Sequence, residues 1–349
     1  MIEEISRKLL LDLVSVYTPP GYEHRLEYKI REWSEKLGYD KFYVDDVGNI
    51  FLKRGGGRKS ILLAGHLDTV PGELEVKIID DEVYGRGAVD AKGSLTSFIL
   101  GGALAEKLNV EVVVGCMVHE ESDGLGARNL LHSKIRPDYI IVGEPTNLAI
   151  AVAYRGSIYL QVRSQAVGGH SSTPYITDSA LRKLIKFIEL VESRFNGSRF
   201  EEITAVTTML KSGDWFSKIP EYGEASMNIR FPPNINAEEI VKTVREIAEH
   251  VGVDVDFESI EMPVQISLNT EIVHLLMKSL IKNGLKPRIV RKTGTSDMNT
   301  LISISKNICA FGPGDSRLAH TRYEKIRISD VITGAKVISS LIELLSEKS

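Results

Sequence analysis

Three short runs in the first half of the chain are almost wholly apolar: residues 61–65 (Ile-Leu-Leu-Ala-Gly), 110–118 (Val-Glu-Val-Val-Val-Gly-Cys-Met-Val) and 139–143 (Tyr-Ile-Ile-Val-Gly). A strand with one wet face alternates polar and apolar side chains. These runs do not, so both of their faces must be covered. Between them, residues 95–108 and 125–131 carry helical patterning. Buried strands alternating with helices predict an α/β fold, with a mostly parallel sheet covered by helices on both faces. Two amphipathic helices precede it. Ile5, Leu9, Leu13 and Val16 mark one stripe, Pro19-Pro20-Gly21 breaks it, and Leu26, Ile30, Trp33 and Leu37 mark the next.

The chain has 349 residues, and at ~150 residues per domain that predicts two domains. The texture changes near residue 154. Residues 157–163 and 225–231 alternate like half-exposed strands, and residues 178–195 and 236–251 read as long amphipathic helices. The order strand–helix–strand–strand–helix–strand fits a small ferredoxin-like α+β layer pair. After Pro263 the α/β texture returns with a helix at 271–283, a strand at 308–311 and a C-terminal helix. The expected organisation is a catalytic domain formed by residues 1–153 plus 263–349, with residues 154–262 inserted into it.

Composition excludes several classes. The net charge is −4, which leaves no basic surplus for neutralising nucleic-acid phosphates. The uncharged stretch at 93–105 is too short for a bilayer span of ~20 residues. The N-terminus mixes acids and bases and lacks the apolar run of a signal peptide, so a soluble, cytoplasmic protein is expected, without a membrane partner. The two cysteines, Cys116 and Cys309, each lie in an apolar run and read as buried hydrophobes. They build neither a thiolate zinc site nor a disulfide framework.

Ligands of open α/β sheets gather at the carboxyl ends of the strands. Here those ends carry metal-type ligands repeatedly. His66 and Asp68 follow the first apolar run, Glu120 and Glu121 the second, and Glu144 the third. Asp90 lies in Gly85-Arg-Gly-Ala-Val-Asp-Ala-Lys-Gly ahead of a helix, and His320 follows the late strand and its Gly312-Pro-Gly-Asp turn. One His or Glu at a strand end is ordinarily a hydrogen-bonded loop residue. Recurrence at four strand ends needs more, because clustered buried carboxylates are costly without a partner. His66 and Asp68 are two apart, so an extended chain lets the Asp hold the His ring and fix which nitrogen faces a metal. Imidazole and oxygen donors without sulfur suit Zn²⁺, and Co²⁺ or Mn²⁺ also fit.

Gly65-His66-Leu-Asp68, Gly85-Arg-Gly-Ala-Val-Asp90, His119-Glu120-Glu121, Gly143-Glu144-Pro and the late His320 resemble the signatures of the M20 metallopeptidase/deacylase family, in order and over nearly the whole chain. The resemblance implies two divalent ions, one held by His66, Asp90 and Glu144, the other by Asp90, Glu121 and His320. It implies that Glu120 is the general base and acid, with Asp68, which holds the His66 ring, also in the catalytic set. His170, in Gly168-Gly-His-Ser-Ser-Thr-Pro, corresponds to a histidine that reaches into the partner subunit's site and binds the oxyanion. A homodimer through the inserted lid domain is therefore implied. Arg230, Gly294 and Thr295 correspond to contacts with the substrate carboxylate. One departure stands out: the family usually has an Asn shortly before a Val-Pro or Ile-Pro in the lid, and here Phe216-Ser217-Lys218 precedes Ile219-Pro220.

Within the family the chain resembles the compact archaeal members that release lysine or ornithine from the C-terminal glutamate of an acidic amino-group carrier protein. Lys282, Lys286, Arg288, Arg291 and Lys292 form a basic stretch that would suit such a partner. The rival within the family is a deacylase for free N-acyl amino acids, such as an acetylornithine or succinyl-diaminopimelate enzyme, or a carboxypeptidase. A nucleotide-binding protein using the glycines of 85–93 would need a phosphate-loop spacing that is absent there. A dimer without catalysis would not need Glu120 and a full ligand set.

Overall fold

The computed structural model describes residues 2–348. The chain divides into two compact units, the first formed by Met1–Ala153, Ile266–Val290 and Ser296–Ser349, the second by Tyr154–Gln265 and Arg291–Thr295.

The main sheet of the first unit includes β1 (Lys41–Val44), β2 (Ile50–Arg54), β3 (Lys59–His66), β4 (Val110–Met117), β5 (Tyr139–Val142) and β6 (Ile150–Tyr154). The sheet runs β1-β2-β4-β3-β5, then the strand Ile308–Ala310, then β6. The centre is parallel: β3 pairs with β4 and β5, and β5 with Ile308–Ala310. The β1 and β2 edge is antiparallel. The apolar runs behave as their composition dictates, and β5 is buried along its whole length. Cys116 and Cys309 are both buried free thiols.

Helix Gly93–Leu104 packs on β3, β4 and the C-terminal helix Ile328–Ser346. Its residues from Gly93 to Gly102 are all buried, which its sequence allows because it carries no charge and the hydroxyls of Thr96 and Ser97 bond back to the Lys92 and Gly93 carbonyls. Gly101 makes the helix crossing close, since a Cβ there would lie 2.7 Å from Ile338. Every parallel strand delivers its C-terminal end to the same edge of the sheet, so residues 66–68, 118–121 and 143–144 emerge together.

The second unit is an antiparallel sheet of β7 (Gly156–Gln165), β8 (Thr204–Ser212), β9 (Tyr222–Phe231) and β10 (Asp254–Glu261) in the order β8-β9-β7-β10. Helices Ala180–Arg194 and Ala237–Val251 supply the other layer. The core between them includes Leu160, Leu184, Phe187, Val191, Met227, Ile229 and Val244. Both helices start on side-chain caps: Ser179 accepts from Arg182 N–H and Asn236 from Glu238 N–H. Residues 291–295 group with this unit, whereas sequence patterning assigned everything after 263 to the first. Among the described residues no helix is long and apolar enough to cross a membrane.

Candidate metal centre

His66 is the last residue of β3 and is buried. Its Nδ1 donates to the backbone carbonyl of Asp68 at 2.9 Å. A carbonyl only accepts, so the proton of the neutral ring sits on Nδ1, and Nε2 is turned to Asp90 Oδ1 at 3.3 Å. His320, at the far end of the sequence, brings its Nε2 within 2.9 Å of Glu121 Oε1 and 3.4 Å of Asp90 Oδ2. Asp90 therefore has one carboxylate oxygen toward each histidine. Donor atoms of His66, Asp90 and Glu121 lie within 4.8 Å of one another.

The electrostatics are those of a cation-binding hole. Asp90 and Glu121 push the His320 imidazolium up to about 10. Burial works against the charged form of His66, yet Asp68 and Asp90 outweigh it and raise that ring well above its ordinary value. Burial raises the Glu120 carboxyl well above the usual range, opposed by His66 and reinforced by the charges of Glu144, Asp297 and Glu121. Burial likewise raises Glu121. Glu144, two residues past β5, is itself buried. Imidazole and carboxylate donors this close, in a field that holds protons on both histidines, fit a divalent cation that competes for the same atoms.

Asp68 does hold the His66 ring, but through its backbone carbonyl; its carboxylate is 3.6 Å from Nδ1. The fully buried carboxylate also accepts the N–H groups of Glu120 at 3.0 Å and Glu121 at 2.9 Å. The strand ends at His66, although the Leu67 N–H still donates across to the Met117 carbonyl at 2.8 Å. Glu120 and Glu121 lie in a turn after β4. That turn begins at His119, whose φ is 59°.

In the second unit, His170 pairs with Lys218 in a two-residue ladder. The Ser172 N–H donates to His170 Nδ1 at 3.1 Å. A backbone N–H can only donate, so the neutral ring carries its proton on Nε2. Arg230, near the end of β9, donates to Thr295 Oγ1 at 2.9 Å. At Gly294 neither a positive φ nor a close neighbour demands glycine.

Residues 62–344 match Peptidase family M20/M25/M40. The chain belongs to that family. A [LysW]-lysine/[LysW]-ornithine hydrolase of Saccharolobus islandicus is 34% identical over 100% of this chain and 98% of its own. One of Sulfurisphaera tokodaii is 36% identical over 99% and 98%. Two solved structures share the fold. A tripeptidase from Staphylococcus aureus has a TM-score of 0.84 at 19% identity, covering 99% of each chain. An M20 metallo-carboxypeptidase from Sulfolobus solfataricus has 0.81 at 18%, covering 98% and 99%. As an M20 member the chain is a metal-dependent hydrolase.

Some features of this M20 site escaped sequence reasoning. Asp297, two residues past Thr295, has no spacing that announces it, yet its charge bears on Glu120. Glu324 is buried and accepts the backbone N–H groups of Val89 and Asp90. Its signal was weak: a glutamate four residues after His320. The basic stretch is also less free than its composition suggested. Lys282 pairs with Glu343 at 3.0 Å, Arg291 with Glu201 at 2.5 Å, and Arg288 donates to the Asn147 carbonyl.

Proposed function

We propose that this chain hydrolyses the amide linking the α-amino group of lysine or ornithine to the side-chain carboxyl of a carrier protein's C-terminal glutamate. The observation that carries the reading is the full-length likeness to relatives named [LysW]-lysine/[LysW]-ornithine hydrolase, together with the meeting of His66, Asp90, Glu121 and His320.

His66, Asp90 and Glu144 would hold one divalent ion, and Asp90, Glu121 and His320 a second, with Zn²⁺ the first choice and Co²⁺ the second. Bound there, the ions would polarise the scissile carbonyl and ease deprotonation of water. Glu120 takes the proton from the attacking water and returns it to the departing α-amine. Its raised pKa suits a group that must act as base and then as acid. Asp68, by accepting both N–H groups, keeps the roles of Glu120 and Glu121 apart. His170 donates from Nε2 to the oxyanion of a partner subunit's site, in a homodimer formed through the second unit. Arg230, Gly294 and Thr295 receive the α-carboxylate of the released amino acid. The partner is an acidic carrier protein, and the setting is cytoplasmic.

The test is amino-acid release from the carrier conjugate, compared with deacetylation of free N-acetylornithine. Chelated protein should release nothing until Zn²⁺ or Co²⁺ is returned. Turnover of the acetyl compound alone would replace this reading with that of a small-molecule deacylase.

A further inference from the structure

We propose that the buried Arg86–Glu324 pair positions the metal centre by tying the turn that carries Asp90 to the turn that carries His320. The inference rests on reading Asp90 and His320 as metal ligands.

Arg86 and Glu324 are 8% and 1% exposed, and their side chains meet at 2.8 Å. The two residues stand four positions before Asp90 and four after His320. Glu324 Oε1 accepts the N–H of Val89 at 3.1 Å and of Asp90 at 3.2 Å. Its other oxygen takes Arg86 Nη1. That same Nη1 donates to the Thr321 carbonyl at 3.2 Å, one residue beyond His320, while Nε donates to the Gly72 carbonyl at 2.9 Å. The Gly85 N–H closes the loop by donating to the Glu324 backbone carbonyl at 3.3 Å.

Each of these bonds acts on backbone that the ligands need. Asp90 can face both histidines only if its own backbone is held, and its N–H has Glu324 as acceptor. His320 has φ 62°, a left-handed conformation that costs a non-glycine residue energy and persists only when its surroundings enforce it. The bond from Arg86 to the next carbonyl is part of that enforcement. The charges also make sense as a pair. Glu324 alone would add another carboxylate beside Asp90, against which its burial already tells. Arg86 neutralises it, so the clamp adds geometry without adding net charge.

The test is Co²⁺ titration of metal-free protein, followed by the visible absorbance of the bound ion, with kcat and KM measured at saturating Co²⁺. Glu324→Gln keeps an acceptor for the two N–H groups but loses the charge facing Arg86. Its Co²⁺ affinity should fall about 10–100-fold, the usual cost of losing a group that orients ligands, and saturating metal should restore most of kcat. A role confined to folding would lower the melting temperature of the metal-free protein and leave the Co²⁺ affinity of the folded fraction at the wild-type value. That result overturns the proposal. Should Glu324→Gln not fold, Arg86→Lys carries the same test. It retains the charge opposite Glu324 but lacks the planar fork that reaches Thr321 and Gly72, and unchanged affinity there is equally fatal. If wild-type protein takes up no Co²⁺, the metal reading itself has failed, and the clamp with it.

Discussion

Arg230 Nη1 donates to Thr295 Oγ1 at 2.9 Å, so two residues expected to bind one substrate carboxylate are already hydrogen-bonded to each other. A planar guanidinium holds its N–H donors in a fixed fork, which matches a carboxylate better than a flexible ammonium can. Arg230→Lys should therefore raise KM about tenfold or more, the scale of a charge-assisted hydrogen bond. kcat should change less, because the contact exists before and during the reaction. Steady-state kinetics on the carrier conjugate checks this. A KM equal to wild type would remove Arg230 from the substrate site.

Glu120 and Glu121 are adjacent and share Asp68 as the acceptor of their N–H groups, yet they are assigned different tasks. Substitution separates them. Glu120→Gln should retain full metal content and lose about 10²–10⁴-fold in kcat, the span associated with positioned proton transfer. Glu121→Gln should lose metal, because a neutral amide is a poorer ligand than a carboxylate and His320 loses the nearer of its two carboxylate partners. Metal analysis by mass spectrometry alongside kinetics distinguishes the two. Depleted metal in the Glu120 variant would mean that Glu120 is a ligand.

Much of this site could be read from local sequence. The apolar runs that become β3, β4 and β5 cannot be half-exposed, and a parallel centre then sends their ends to one edge. That brings His66, Glu121 and Glu144 to one side of the sheet without any knowledge of side-chain contacts. What stayed hidden depended on backbone direction or on distant partners. The Asp68 carboxylate faces the His66 ring and also accepts two N–H groups from a turn more than fifty residues away, which no local spacing announces. Arg86 and Glu324 are 238 positions apart, and neither has a spacing that announces the other. Likewise, nothing in the composition of residues 282–292 shows that Lys282 and Arg291 find carboxylates.

The second unit owes its stability to one apolar layer between sheet and helices. Phe187 is fully buried there among residues that include Leu184, Val191 and Met227. Phe187→Ala removes a ring from a close-packed site and should cost about 3–5 kcal/mol. Urea unfolding, followed by circular dichroism, gives the value. A loss under about 1 kcal/mol would mean that the layer collapses around the gap and is less tightly packed than its burial implies.

His170 is exposed, and its Nδ1 is occupied by the Ser172 N–H, so the tautomer that offers Nε2–H outward is fixed by the backbone. That is the donor an oxyanion needs, and removing one such donor typically costs about 10²–10³-fold in kcat. His170→Ala should show that loss with a smaller change in KM. Whether the histidine serves its own chain or its partner is decided by mixing. His170→Ala and Glu120→Gln homodimers are each expected to be nearly inactive. After subunit exchange, a mixed dimer has one site that combines intact Glu120 from one chain with intact His170 from the other. Random pairing in a closed dimer then restores about a quarter of wild-type activity. If His170 acts within its own chain, no mixture contains an intact site and the activity stays at the level of the two variants. Mixtures that remain inactive after exchange, verified by differential tagging, would end the proposal of a shared site.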